Sequence, residues 1–209
     1  MSDARMSDPG GVVYIVDDDP ALRDAIGFLV GSVGYASCAC DSAADLLRQI
    51  DEARPACLVL DVRLPGLSGL ELQRELSARE SSARIVFVSG HGDIPKAVRA
   101  IRLGAVDFLE KPFDDQMLLD RIGEALEASA AELRRRASRQ TLERRLAGLT
   151  ERERGVLRLV IGGKTSKAIA LSLDISVKTV ENHRHNIMAK AGVASVAQLI
   201  AWASEAGHG

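Results

Sequence analysis

"VVYIVDDDP", residues 12–20, runs five apolar residues straight into three consecutive aspartates and a proline. A short, largely β-branched run of this kind, stopped by turn-forming residues, reads as a strand buried on both faces. The acids at its end are the puzzle. Carboxylates packed this closely repel, so each makes its neighbour harder to ionise, and something cationic must offset that cost. Asp19 stands apart from the other two: directly before Pro20, it reads as a helix N-cap with proline at the first helical position.

The pattern repeats downstream. Further strand candidates are "YASCAC" (35–40), "CLVL" (57–60), "RIVFV" (84–88) and "VDFL" (106–109), separated by amphipathic stretches at 20–32, 42–52, 68–78 and 94–103, with another from 114 onward. Strands alternating with helices predict an α/β domain, a doubly wound five-stranded parallel sheet with helices on both faces. Ligands of such sheets bind beyond the carboxyl ends of the strands. Asp17 and Asp18, Asp61, Ser89 and Lys111 all fall at or just after strand ends, so one sheet edge is expected to gather three carboxylates, a hydroxyl and an ammonium.

Asp oxygens suit a hard divalent cation such as Mg²⁺, which takes one or two carboxylates and keeps other positions for water or phosphate. A cation among Asp17, Asp18 and Asp61 relieves their repulsion, and Lys111 adds a second positive charge. This is chemistry fit for placing a phosphoryl group on a carboxylate.

At 209 residues, two domains are expected rather than one. Hydrophobic content of 46% and charged content of 27% are ordinary for soluble protein, and no run approaches the ~20 apolar residues of a membrane span. The polar, acidic residues 1–11 lack a signal-peptide pattern and read as a disordered tail of a cytoplasmic protein. Cys38, Cys40 and Cys57 read as free thiols; C-x-C with no partner pair is a poor zinc half-site. The net charge of −2 conceals an asymmetry: residues 1–127 hold 13 basic and 22 acidic side chains, whereas 128–209 hold 14 and 7. A C-terminal part at +7 points to a polyanionic partner.

Residues 114–148 lack Pro and turn clusters and read as one long helix, its stretch 128–148 a solvated helical linker continuous with the last helix of the first domain. Leu126 and Leu133 start a heptad that Gln140 and Ala147 do not continue, so a coiled coil is poorly supported. In "LTERERGVLRLVIGG", Thr150 and Glu153 match a capping box, and Gly162 and Gly163 end the helix. "TSKAIALSL" (165–173), the turn "DIS" and "VKTVENHRHNIMAKA" (177–191) then make helix-turn-helix arithmetic, followed by "SVAQLIAWASEA" (195–206). Ile169, Leu173, Val180, Ile187, Val193, Leu199 and Trp202 are the expected core. His183 and His185, two apart on a helix, do not face each other and are not expected to bind metal.

"YIVDDDPALR", "LVLDVRLPGLSGLELQREL", "IVFVSGHGD" and "GAVDFLEKPF" together resemble the receiver domain of bacterial two-component response regulators, with its flavodoxin-like fold, over residues 12–127. "LTERERGVL", "GKTSKAIA" and "ISVKTVENHRHNIMAKAGV" resemble the small all-α helix-turn-helix domain of the LuxR type over 149–209, and the whole is similar to the NarL/FixJ family. The resemblance implies a transcription factor, not an enzyme beyond slow autodephosphorylation. Asp61 would accept a phosphoryl group from a sensor histidine kinase, with Asp17, Asp18, Asp61 and the Arg63 backbone carbonyl holding Mg²⁺ or Mn²⁺. Ser89 and Phe108 would be the switch pair, Lys111 would meet the phosphoryl oxygens, and the Lys111–Pro112 bond would be cis. Phosphorylation would drive homodimerisation through the face of the fourth helix, fifth strand and fifth helix.

The resemblance also implies that residues 177–190 form a recognition helix in the major groove of double-stranded DNA, with RNA polymerase as a further partner. Its base-facing positions fall on Glu181, Asn182 and His185; Asn suits adenine and Glu suits cytosine N4. Lys164, Lys167, Lys178, Thr179, Arg184 and Lys190 would contact phosphates. Two other classes stay open at this point: an aspartyl-phosphate phosphatase, which would want its nucleophile and acid two residues apart after the first strand, and a DNA-binding regulator driven by ligand or partner with a vestigial phosphosite.

Overall fold

Five strands alternate with five helices and four further helices follow, as the hydrophobic pattern requires, in a computed structural model that describes residues 10–90 and 94–205, the last five of these by backbone alone. The order is β1 (Val12–Val16), α1 (Pro20–Ser32), β2 (Ala36–Cys40), α2 (Ala43–Gln49), β3 (Ala56–Asp61), α3 (Gly69–Ala78), β4 (Arg84–Ser89), α4 (Ile94–Arg102), β5 (Asp107–Glu110) and α5 (Asp115–Ala147). Then come α6 (Glu151–Ile161), α7 (Ser166–Leu173), α8 (Val177–Ala191) and α9 (Val196–Glu205). Contacts divide the chain into two units, one ending at Arg134 and one beginning at Arg135.

In the first unit the strands form one parallel sheet in the order β2-β1-β3-β4-β5, the doubly wound arrangement expected. Strand period two sends alternate side chains to opposite faces. Tyr14, Val16, Leu58, Leu60 and Phe87 enter one core with α2 and α3, while Val13, Ile15, Val59, Val86 and Val88 enter the other with α1 and α5. The two edge strands depart from burial on both faces: β2 leaves Ala36, Ser37 and Ala39 exposed, and β5 leaves Glu110 exposed. Burial pushes the Cys40 thiol up to about 12 and raises that of Cys57, so these two behave as small hydrophobes.

Asp19 caps α1 as its sequence context requires, accepting from the N–H of Ala21 at 2.9 Å with Pro20 opening the helix. Residues 1–9 of the expected tail lie outside the described residues, but Gly11 is already buried, and the Val12 N–H donates to the Pro55 carbonyl at 2.9 Å. The helix α5 is continuous, yet 128–148 is not uniformly solvated. Ser129 is fully buried and its hydroxyl accepts from the Ala56 N–H at 3.0 Å, while Leu142 is buried in the second core. The stretch is therefore tied down at two places, by the Ser129 hydroxyl at the start of β3 and by Leu142 in the second core. Among the described residues, no helix is long and apolar enough to cross a membrane.

In the second unit Ile169, Val180, Ile187 and Leu199 form the core with Val156 and Val160, and Leu173 and Val193 pack partly buried against it. The side chain of Trp202 lies outside the described residues. Thr150 accepts from the Glu153 N–H at 3.3 Å and the Glu153 carboxylate accepts from the Thr150 N–H at 2.8 Å, closing the capping box. The same buried carboxylate takes the Lys190 ammonium at 2.7 Å. These donors, Lys190 first, outweigh desolvation and lower the Glu153 pKa to about 2. A depressed carboxylate stabilises the fold above its unfolded pKa and stops doing so as pH falls through the folded one. Between about pH 5 and pH 2 the second unit is therefore expected to lose on the order of 2 kcal/mol through this one group. Acid unfolding followed by circular dichroism checks it: Glu153→Gln should start less stable at neutral pH and show a flatter slope across that window.

Candidate functional site

Parallel register lines up the strand ends. Val16 pairs with Leu60, Asp61 with Val88, and Ser89 with Glu110, so Asp17, Asp61, Ser89 and Lys111 emerge in one row at the carboxyl edge of the sheet. The Lys111 ammonium bridges two of them, at 2.6 Å from Asp17 Oδ2 and 3.1 Å from Asp61 Oδ2. Burial alone pulls this amine down, but the hydrogen bonds and charges of Asp17 and Asp61 more than reverse it, so its pKa lies above the ordinary lysine value. Asp17 is buried, and its Oδ1 accepts from the Asp19 N–H at 2.9 Å. Its carbonyl accepts from the Arg23 guanidinium. Asp18 is exposed, and one carboxylate oxygen from each of Asp17, Asp18 and Asp61 lies within 4.8 Å of the others. That oxygen-only set fits a hard divalent ion, and among the described residues it is the one acidic or thiol cluster with metal-holding geometry. Cys38 and Cys40 form none.

Asp61 is nearly buried, with Oδ1 accepting the Arg63 N–H at 3.0 Å. Behind it lies a feature that the residue types do not announce. A Cβ on Gly69 would stand 2.3 Å from the Asp61 carbonyl oxygen and 3.0 Å from Phe87 Cε1. Only a glycine lets the first turn of α3 close against the backbone of Asp61. Within "GLSGLELQ" this glycine looks like loop punctuation before a helix, and its close approach exists only after β3 and α3 pack. Arg23 was equally silent, since any residue on α1 at that spacing reads as a solvated face.

Ser89 is buried at the end of β4, and its carbonyl accepts from the Lys111 N–H at 2.8 Å. Phe108 is half-buried on β5, its ring centroid 6.2 Å from that of Phe87. The Lys111–Pro112 bond is cis.

On the second unit, Ser176 caps α8 by accepting from the Thr179 N–H at 3.0 Å, and Asp174 makes the turn in the left-handed region at φ 52°. Val180 and Ile187 point into the core, which leaves Glu181, Asn182 and His185 exposed together on the outer side of α8. Lys164, Lys167 and Lys178 are exposed; Thr179 bonds the Ser176 hydroxyl, and half-buried Arg184 reaches the Ser166 hydroxyl at 3.4 Å. Lys190 is committed to Glu153. Part of the +7 is therefore structural. Arg154 donates to the Ala147 carbonyl at 3.0 Å, Arg152 to the Leu173 carbonyl at 3.1 Å and Arg145 to the Ala191 carbonyl at 3.2 Å, so three helix C-termini each hold an arginine from another element.

Comparison with known proteins fits this division. Residues 13–123 match the response regulator receiver domain, and residues 147–203 match the bacterial regulatory proteins of the luxR family. The transcriptional regulatory protein FixJ of Azorhizobium caulinodans is 44% identical over 195 residues, covering 93% of this chain and 92% of that protein. The response regulator protein TodT of Pseudomonas putida is 43% identical over 94% of this chain and 86% of its own length. Among solved structures, the response regulator StyR superposes with a TM-score of 0.78 at 42% identity, covering 94% of this chain and 99% of that one. Full-length FixJ from B. japonicum gives a TM-score of 0.56 at 39% identity, covering 97% and 99%. Carboxylates and a lysine at the edge of a doubly wound sheet, followed by a capped helix-turn-helix, thus place the chain in the response regulator transcription factors that join a receiver to a LuxR-type DNA-binding domain.

Proposed function

We propose that Asp61 is the phosphoacceptor of a two-component pathway and that its phosphorylation controls DNA binding by α8. One observation carries this: the Lys111 ammonium is bonded at once to Asp17 and Asp61, with Asp18 beside them. Asp17, Asp18 and Asp61, with the Arg63 carbonyl, hold Mg²⁺ or Mn²⁺, which when bound offsets the carboxylates' repulsion and screens phosphoryl oxygens. An Asp61 oxygen forms the new bond to phosphorus as the bond to the kinase histidine breaks, and the imidazole leaves with a proton. Lys111 is placed to follow the charge from the carboxylate to the phosphoryl oxygens. The Ser89 hydroxyl turns toward the new group and Phe108 moves inward, which biases the α4-β5-α5 face toward pairing with a second copy. A dimer presents two copies of Glu181, Asn182 and His185 to a two-fold related site in cytoplasmic DNA, where RNA polymerase is the further partner. Loss of the phosphoryl group by autodephosphorylation is slow.

The test is uptake of phosphate from acetyl phosphate with Mg²⁺, read by mass spectrometry, followed by mapping of the bound DNA site in both states. A stable Asp61 adduct and tighter, site-specific binding are expected; equal affinity in both states would overturn the switch. A paired substitution separates the adjacent acids. Asp18→Ala should abolish Mg²⁺-dependent phosphorylation, whereas Asp19→Ala should cost ~1 kcal/mol of stability and leave uptake nearly intact, because Asp19 serves as a helix cap.

A further inference from the structure

The last turns of α5 are part of the DNA-binding unit. Leu142 is buried in its core and Leu146 packs against that core, and between them Arg145 lies across the end of α8. The Ala191 carbonyl is one of the last four of α8 and has no partner within the helix. Gly192 ends the helix at φ 69°, its N–H accepted by Met188 at 2.8 Å, and Arg145 Nη1 donates to Ala191 at 3.2 Å. A Cβ on Gly192 would stand 2.0 Å from that nitrogen and 3.0 Å from Cζ, so the guanidinium fills the space a side chain would need. Gly192 therefore meets two demands, a left-handed backbone and room for Arg145.

We infer that Arg145 is a positioning residue for DNA recognition: from the last turn of α5 it fixes the C-terminal end of α8, and so the angle at which Glu181, Asn182 and His185 meet base edges. This rests on the DNA-reading role proposed above for α8. The N-terminal end of α8 is held by the Ser176 cap and its middle by Val180 and Ile187; its last turn is held by Ala191 in the core, by Lys190 on Glu153 and by Arg145, which alone of these three bonds the terminal carbonyl. Direct base contacts tolerate little misplacement, whereas contacts to phosphate do not depend on sequence. Loss of the contact should therefore reduce specificity and spare non-specific binding.

The experiment uses the full chain, incubated throughout with acetyl phosphate and Mg²⁺, and a duplex selected from random sequence by the wild type in that state, with anisotropy titrations against that duplex and a scrambled one at several salt concentrations. Arg145→Ala should weaken the selected duplex about tenfold, leave the scrambled duplex and the salt slope unchanged, and be largely rescued by Arg145→Lys, whose ammonium also suits a helix C-terminus. Equal losses on both duplexes, a salt slope smaller by about one, as for a lost phosphate contact, or no change at all would overturn it. Gly192→Ala supplies an independent variant: it should reproduce the loss of specificity, and its effect should shrink in the Arg145→Ala background. Strict additivity would refute the contact. A wild-type chain that selects no duplex would overturn the DNA-reading role itself, and this inference with it.

Discussion

Asp61→Asn should leave no phosphoryl adduct after incubation with acetyl phosphate and Mg²⁺, while the chain remains folded. Asn keeps the shape and the carbonyl oxygen that accepts the Arg63 N–H at 3.0 Å. It removes the anionic oxygen that attacks phosphorus, and an amide is no substitute nucleophile. The effect on stability has the opposite sign from that of most buried substitutions. Three carboxylates share one lysine at this edge, so removing one charge relieves repulsion at the expense of one Lys111 hydrogen bond. In metal-free buffer the melting temperature of Asp61→Asn should therefore match or exceed that of the wild type. Added Mg²⁺ should stabilise the wild type by about 2.7 kcal/mol at a hundredfold excess over its dissociation constant, raising its melting temperature, and barely move the variant. Mass spectrometry and thermal melts read both arms. An adduct persisting on another residue would remove Asp61 from the acceptor role, and a wild type indifferent to Mg²⁺ would remove the metal site.

Gly69→Ala should be the most damaging single-methyl addition to the receiver. The added carbon would lie 2.3 Å from a backbone oxygen and 3.0 Å from the buried Phe87 ring, neither of which can step aside cheaply. Either α3 withdraws from the sheet or the backbone of Asp61 shifts. The first route costs roughly 1–3 kcal/mol, as for other overpacked cores, and the second displaces the carboxylate from Lys111. Denaturant unfolding should show the stability loss, and the rate of phosphoryl uptake should fall beyond what the unfolded fraction explains. Gly31→Ala is the matched control. A Cβ there meets nothing within 4 Å near the end of α1, so the change should stabilise the chain by up to about 1 kcal/mol through helix propensity. Equal effects of the two substitutions would show that the approach of α3 to Asp61 is not tight.

The acidic edge was legible because parallel sheets place strand ends together, so Asp17, Asp61 and Lys111 needed only the strand boundaries to be brought to one site. Local chemistry was legible for the same kind of reason. Asp19 before Pro20, and Thr150 three residues ahead of Glu153, are caps whose partners lie within one turn. The phosphate-contact set shows where this stops. A lysine on an outer helix face reads the same whether its ammonium is free or, like that of Lys190, bonds a glutamate 37 residues away in sequence. Arg145, Arg152 and Arg154 look equally available until the helix ends they occupy are seen.

Alternating strands and helices, two capped helices around a tight turn and a divided charge by themselves determined an α/β domain with an acid-and-lysine edge, joined through a helix to a basic helix-turn-helix unit. These are local or period-based properties, set by backbone geometry and by which side chains shun water. Only the tertiary structure decided which groups touch across long sequence separations: Gly69 against the Asp61 carbonyl, Ser129 on Ala56, Glu153 with Lys190 and Arg145 over Gly192. Such contacts depend on ångström-scale approach between packed elements, and no residue type or spacing encodes that until the cores have closed.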